Sequence, residues 1–338
     1  MSYKELVIID NEKISKKDDN FYCDNFEAKI SGDFEKVFNV TLIARKSKIN
    51  RANKINLKKI EIASNIFSFL FNILKTFKKK ETNYLVIAIN PYTFFACLFL
   101  FLFRKKTFVY LRSDGHEEYK AILGFIGPII YNVMYKIATF RTNIITCQKR
   151  LFIKGKSNVV FPSEINSFWI DNRQKSFLDK PRLLYVGRVK VEKGVFSLLK
   201  IFDQIEIDTE LSIVGRAENV NSKNNKVSFV GPVYDSATLI KIYDNHNIFI
   251  LPSFTEAHPK VIDESLARLR PVIIFDEISH IIQNRKGIFV SKRNAKSLLE
   301  TINFIMKNYE NIQESILENK LPTKQEFISK ISNILQSN

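Results

Sequence analysis

Residues 247–275, NIFILPSFTEAHPKVIDESLARLRPVIIF, constrain the fold more than any other stretch of the chain. Residues 247–251 form a short apolar run of strand length, and Pro252-Ser253 breaks it. Pro259 falls where a helix begins, since the first helical position has no use for an amide hydrogen. Val261, Ile262, Ser265 and Leu266 follow at helical spacing, and residues 271–275 resume as a buried strand. Two carboxylates stand in this frame: Glu256 in the loop at the strand's C-terminal end, and Glu264 on the helix. A loop beyond the carboxyl end of a parallel strand, feeding a helix N-terminus, is where open α/β sheets bind ligands.

Strand-length runs recur along the chain at 5–9, 39–44, 84–90, 107–111, 143–146, 210–215 and 226–231, with helices expected at 236–244, 295–309 and 324–335. A further strand opens at Arg182 and ends in Gly187-Arg188, followed by Val189-Lys190-Val191-Glu192-Lys193-Gly194. This G-R-x4-K-G loop suits a diphosphate. A glycine allows close approach, Arg188 can grip phosphate oxygens through a planar fork, and Lys193 acts as a mobile point charge.

The spacing P-S-x2-E-x2-P-x4-E-x2-A-x3-P-V at residues 252–272, together with G-R-x4-K-G, closely resembles the signature of the retaining, nucleotide-sugar-dependent glycosyltransferases of family 4. That resemblance implies an α/β chain of GT-B fold, two Rossmann-like domains with parallel sheets facing across a cleft. The domains expected are 1–168 for the acceptor and membrane side and 169–320 for the donor, with a 321–338 helix crossing back onto the first.

The resemblance also implies roles. Gly187, Arg188 and Lys193 would hold the donor diphosphate and stabilise the charge that grows on it as the anomeric C–O bond breaks. Glu256 would hydrogen-bond the donor sugar, helped by the amides of Ala257 and His258, and Glu264 would bind the ribose hydroxyls. Val230 and Gly231 would lie along the base. From the loop after residues 107–111, Asp114 and His116 would approach the donor sugar and Arg112 a donor or acceptor phosphate. The attack would come from the same face, assisted by the leaving diphosphate. No cofactor and no metal are expected, and the sequence has no D-x-D motif. Several positions depart from the family pattern: Asp10-Asn11-Glu12 stands where a glycine-rich loop is usual, and Ala257 and Leu269 replace glycines. Leu269 reads as a packing residue.

Partners are argued from charge. Of a net +17, residues 1–168 carry +13, with 28 Lys/Arg against 15 Asp/Glu. An anionic partner follows: nucleic acid, phospholipid or phosphorylated substrate. Residues 60–80 read as one helix with a polar stripe through Ser64, Ser68, Asn72, Lys75 and Lys79 and a wide apolar remainder. Such a helix suits either burial in the domain or the headgroup layer of an anionic membrane surface, with Lys75, Lys78, Lys79 and Lys80 on lipid. A lipid-linked or membrane-bound glycan acceptor is therefore expected, in surface polysaccharide or glycolipid assembly. No nucleic-acid motif is present.

The apolar stretches 92–103 and 121–133 fall short of the roughly 18–20 residues of a spanning helix, and no secretory signal is visible. Three scattered cysteines fit a reducing compartment. Together these place the chain in the cytoplasm, peripheral on the inner face of the cytoplasmic membrane. The alternatives are a non-catalytic subunit of the same fold that binds a partner or glycan, and a nucleotide-sugar 2-epimerase, although four histidines are few for the latter.

Overall fold

The computed structural model describes residues 4–24, 26–79, 81–152, 155, 157–216 and 224–337. The chain divides into two compact units, Met1–Phe161 with Glu326–Asn338, and Pro162–Gln325. The break falls at residue 161 rather than 168 because the following segment is tied to the second unit's own end. The Ser163 hydroxyl donates to Pro322 O at 2.6 Å, and the Lys324 amide donates to Ile165 O at 2.8 Å.

The first unit is built on strands β1 (Lys4–Lys17), β2 (Asn20–Cys23), β3 (Phe38–Lys46), β4 (Asn53–Lys54), β5 (Ile60–Ala63), β6 (Thr82–Ile87), β7 (Thr107–Leu111), β8 (Asn143–Thr146) and β9 (Ser157–Val159). Its parallel part runs β5-β3-β1-β6-β7-β8-β9, so the strand order reverses between β1 and β6. The inner strands are unbroken apolar runs, as a sheet covered on both faces requires; Leu6–Ile9 and Tyr84–Ile87 are all buried. β1 is longer than its apolar stretch of 5–9. Its register with β3 shifts between Ile9 and Lys13, and the strand runs on to Lys17. Asp18 and Asp19, at φ of 47° and 60°, supply the two left-handed positions of a tight hairpin turn into β2.

Helices α1 (Phe26–Lys29), α2 (Ile66–Lys75), α3 (Pro91–Leu102), α4 (Gly115–Leu123) and α5 (Gly127–Ala138) complete this unit's chain order. The single helix expected over 60–80 does not form. Residues 60–63 pair with Leu42–Arg45 as strand β5, and Asn65 starts α2 through a capping box with Ser68. That start sets the helix's rotation. Phe69, Asn72 and Ile73 are buried, while Phe67 (80% exposed), Phe71 and Leu74 face outward. The expected polar stripe is therefore interrupted: Ser64, Lys75 and Lys79 are exposed, but Asn72 is buried.

The second unit has six parallel strands: β10 (Arg182–Val186), β11 (Glu210–Val214), β12 (Val227–Gly231), β13 (Ile248–Leu251), β14 (Val272–Phe275) and β15 (Ile288–Ser291). Their order is β12-β11-β10-β13-β14-β15. The chain adds strands on one side of β10, then returns to add β13 on the other, so the order reverses between β10 and β13. Around the sheet lie α6 (Ser167–Ile170), α7 (Val195–Phe202), α8 (Ser236–Asp244), α9 (Lys260–Ala267), α10 (Ala295–Lys307) and α11 (Tyr309–Leu317). Behind the site the fold is held by a buried ion pair. The Arg268 guanidinium donates twice to Asp244 at 2.8 Å and also to the carbonyls of Trp169, Asp171 and Asn172, stapling α6 and the segment after it to the end of α9.

Leu269 follows at φ 57°, a left-handed position that favours glycine. Its side chain is partly buried against the core, but packing is only half its account; the backbone there is strained. The last helix, α12 (Lys324–Ser337), enters the first unit at Glu326. The Asn83 side chain donates to Leu335 O at 2.8 Å, and buried Phe327 lies 5.9 Å from the Tyr110 ring.

Candidate active site

In the second unit the loops after β10, β11, β12 and β13 leave the same edge of the sheet, since all four strands are parallel. The reversal between β10 and β13 is a topological switch point, where adjacent loops diverge and leave a crevice. Both motifs of the sequence end there.

Glycines set how closely these loops approach. A Cβ at Gly215 would stand 1.8 Å from Gly187 O, and a Cβ at Gly187 would stand 2.7 Å from Tyr185 Oη. The Gly215 amide donates to Gly231 O at 2.9 Å, so the ends of β10, β11 and β12 are in direct backbone contact. Gly194 takes φ 68°, and a Cβ there would lie 1.8 Å from Pro252 O. Only glycine allows that approach, and its result is chemical. The Lys193 ammonium reaches Glu256 Oε1 at 2.6 Å, and the Ser253 hydroxyl donates to the same oxygen at 2.8 Å. The Phe254 amide donates to Glu192 O at 3.0 Å, closing the two loops together. Arg188 is exposed at the end of β10, with its carbonyl accepting from Tyr185 Oη at 2.8 Å. Val230 is exposed at the end of β12, and Gly231 takes φ 82°.

At the start of α9 the side chains of Ala257 and His258 are used by the fold. Ala257 is buried, and the His258 imidazole turns into the fold, with Nε2 2.8 Å from Asp263 Oδ2. Arg285 donates to the other Asp263 oxygen at 2.5 Å. Burial would raise the Asp263 carboxyl, but His258 and Arg285 together hold it below the usual range. The His258 side chain thus fixes the first turn of α9, and only its backbone remains for a ligand.

Glu264 is buried, accepting from Tyr243 Oη at 3.2 Å. Burial pushes its carboxyl up to about 7; nearby Lys260 opposes this, and the Glu164 carboxylate, itself paired to Lys260 at 2.9 Å, adds to it.

Two residues that the motifs did not indicate brace the loop. The Arg293 guanidinium donates to Pro252 O at 3.0 Å and to Glu277 at 2.7 Å, and sits 4.1 Å above the Phe254 ring. His280 Nε2 lies 3.0 Å from Glu256 O. Both come from beyond the βαβ stretch, in segments with no local pattern; only the sheet order brings them back.

The first unit treats its candidates differently. Asp114 is the N-cap of α4, accepting from the amides of His116 and Glu117 at 3.1 and 3.3 Å. The His116 ring packs 4.7 Å from Tyr131. A cavity of about 480 Å³ opens nearby, at this sheet's own switch point between β1 and β6, lined by Asn11, Asn90, Arg112, Glu118, Tyr119 and Ile122 among others. Arg112 lines it; Asp114 and His116 do not. Beside it Asp10 and Glu12 occupy the place of a glycine-rich loop, and burial raises the Glu12 carboxyl. Of the lysines expected at a membrane surface, Lys75 lies 4.9 Å over the Phe71 ring, Lys78 is exposed, and Lys79 pairs with Glu5 at 2.6 Å. Lys80 lies outside the described residues.

Comparison with known proteins bears on the fold and the class of protein. Residues 180–308 match the profile of the family described as glycosyl transferases group 1. Protein CapJ of Staphylococcus aureus is 24% identical, with 94% of this chain and 90% of that protein covered. The Staphylococcus aureus capsular polysaccharide biosynthesis glycosyltransferase CapM is 27% identical over 59% of this chain and 61% of its own length. Among solved structures, Anabaena HepE in complex with UDP and glucose superposes with a TM-score of 0.73 at 12% identity, covering 99% of this chain and all (100%) of that one. The fold is GT-B. Taken with the residues at the switch point, these matches support a glycosyltransferase.

Proposed function

We propose that the chain transfers a sugar, with retention of anomeric configuration and without a metal, from a UDP-sugar to a hydroxyl of a lipid-linked or membrane-associated glycan. The observation that carries this reading is the meeting of Lys193, Ser253 and Glu256 at the second sheet's switch point, beside exposed Arg188. Arg188 and Lys193 bind the diphosphate and take up the negative charge it gains as the anomeric C–O bond breaks and its electron pair leaves with the diphosphate. Glu256 receives the sugar hydroxyls, and its present pair with Lys193 orients both side chains for that contact. Glu264, buried and with its carboxyl pushed up to about 7, is present in both protonation states near neutral pH and in its protonated form can donate to a ribose hydroxyl. The acceptor hydroxyl attacks the same face, and its proton passes to an oxygen of the departing diphosphate.

A UDP donor is favoured by the UDP and glucose bound to HepE, and capsule-type polysaccharide assembly by the naming of CapM. The test is release of nucleoside diphosphate from UDP-sugars, with proton NMR of the product's anomeric coupling. Wild type should release UDP in EDTA and retain the donor's configuration. Arg188→Ala should lose about 10²–10³ in rate, by analogy with removal of one oxyanion donor. An inverted product, or activity abolished by EDTA, would contradict the proposal.

A further inference from the structure

Residues 122–140, in and beside α4 and α5, carry a dense run of exposed large apolar side chains. Residues Gly115–Ala138, 24 in all, have the length of a membrane-crossing helix, and an 18-residue window within them reaches a mean hydropathy of 1.5. They do not form one straight helix. Gly124, at φ 64°, interrupts them, and α5 folds back on α4. The His116 and Tyr131 rings meet at 4.7 Å and those of Tyr119 and Tyr131 at 5.3 Å, contacts that a continuous helix would place several turns apart. The fold-back is locked by glycine. A Cβ at Gly115 would lie 2.0 Å from the Tyr131 ring, and one at Gly127 would lie 2.0 Å from Tyr119 O.

The hairpin turns its apolar residues outward. Ile122, Phe125, Ile129, Val133, Ile137 and Phe140 are all exposed, Phe125 at the tip by 84% and Ile129 by 63%. Ile129, Val133 and Ile137 follow each other at four residues as one ridge of α5, with Phe125 in the turn before the helix and Phe140 just after it. A ridge of this kind facing water is a docking surface rather than a solvated helix. Charge identifies what covers it. Between Glu118 and Glu164 the sequence holds seven Lys or Arg and no acid. Three of these, Lys120, Lys136 and Arg141, are exposed on or beside the hairpin, with Arg141 set 5.4 Å over the Phe140 ring, while the two exposed acids, Glu117 and Glu118, lie in the first turn of α4, away from the Phe125 tip. An apolar ridge edged by cations is the pattern of a helix lying in the interface of an anionic bilayer.

We propose that the α4–α5 hairpin is the membrane-docking device of the first unit, with Phe125 and Ile129 entering the acyl boundary and Lys136 and Arg141 lying on anionic headgroups. The inference rests on the proposed membrane-associated acceptor and moves the contact from the lysines of α2 to a different element. Tyr119 and Ile122 of the hairpin also line the 480 Å³ cavity, so docking holds that cavity at headgroup depth, where a lipid-anchored glycan presents its sugar.

The test is co-sedimentation of the whole chain, with no nucleotide present, on vesicles of equal parts phosphatidylglycerol and phosphatidylcholine and on pure phosphatidylcholine. Wild type should partition onto the anionic vesicles, and Phe125→Ser with Ile129→Ser should lower the partition coefficient more than tenfold. Lys136→Glu with Arg141→Glu should abolish the preference for phosphatidylglycerol. Because the chain has one tryptophan, Trp169, which is buried, Phe125→Trp adds a reporter. Its emission should shift to the blue on vesicles and be quenched by brominated lipid. Binding unchanged in the serine variant, no response of the Phe125→Trp reporter, or dimers in sedimentation that dissociate in the serine variant without any vesicle binding, would overturn the proposal. Stabilisation by UDP, measured on the same samples, reports the donor site separately, so a failure of one reading leaves the other standing.

Discussion

Gly194→Ala tests how the two motifs meet. Two effects add at this position. The backbone stands at φ 68°, where an L side chain is disfavoured by about 1–2 kcal/mol. The new Cβ would also lie 1.8 Å from Pro252 O, which is backbone and cannot rotate away, and such overpacking typically adds about 1–3 kcal/mol. The sum, about 2–5 kcal/mol, corresponds to a fall in Tm of roughly 4–20 °C for a unit of this size at 2–4 °C per kcal/mol. Gly231 is the internal control. It takes φ 82° but has nothing within 4 Å of a Cβ, so Gly231→Ala carries only the backbone part, about 1–2 kcal/mol. Differential scanning calorimetry of both variants separates the terms. The Gly194 variant should also part Lys193 from Glu256, so UDP should stabilise it less than wild type. Equal losses in the two variants, or an unchanged response to UDP in Gly194→Ala, would refute the close contact between the Gly194 and Pro252 loops.

Glu264 gives a pH-dependent prediction. Its folded pKa, about 7, lies above the ordinary 4.5, so between these values the folded state binds the extra proton. Its contribution is therefore present at low pH and lost as pH rises from about 4.5 through 7, amounting to about 3 kcal/mol. Glu264→Gln should lose less stability than wild type between pH 5 and pH 8 in urea titrations; parallel profiles would contradict this. Arg268→Ala leaves Asp244 buried without its bidentate partner and should destabilise the second unit by about 3–5 kcal/mol, read as a drop in the urea midpoint. Asp114→Ala should remove about 1 kcal/mol of helix capping, with Asp114→Asn restoring most of it and the rate of UDP release unchanged. A loss of rate that Asn does not rescue would return Asp114 to the chemistry.

The second unit was the more legible half. Its strands are short apolar runs bounded by Gly and Pro, and its candidate site residues sit within a few positions of strand ends, so the two motifs and the resemblance they carry were enough to bring Gly187, Arg188, Lys193 and Glu256 to one edge of the sheet. Arg293 and His280 could not, because they reach the loop after Pro252 only through the sheet order. The burial of the His258 side chain was hidden for a related reason: its partner Asp263, held in turn by Arg285, is settled by packing that a linear pattern does not express. In the first unit the sequence misled where local signals competed. Residues 60–63 carry an apolar pattern compatible with helix or strand, and parallel pairing with β3 decided for strand. The hairpin of α4 and α5 was seen only as a stretch too short to span, since the contacts at Gly115 and Gly127 that fold it back are tertiary. Leu269 hides a left-handed backbone that a packing residue does not announce.

The central claim is that the switch point between β10 and β13 holds a nucleotide sugar. The most direct measurement is thermal stabilisation by UDP, GDP, ADP and their sugars, wild type beside Arg188→Ala. A ligand at 100 times its dissociation constant adds about 2.7 kcal/mol, or roughly 5–11 °C at 2–4 °C per kcal/mol. The account predicts such a shift with UDP or a UDP-sugar and its loss in Arg188→Ala. No shift with any nucleotide, or an equal shift in the variant, would contradict it.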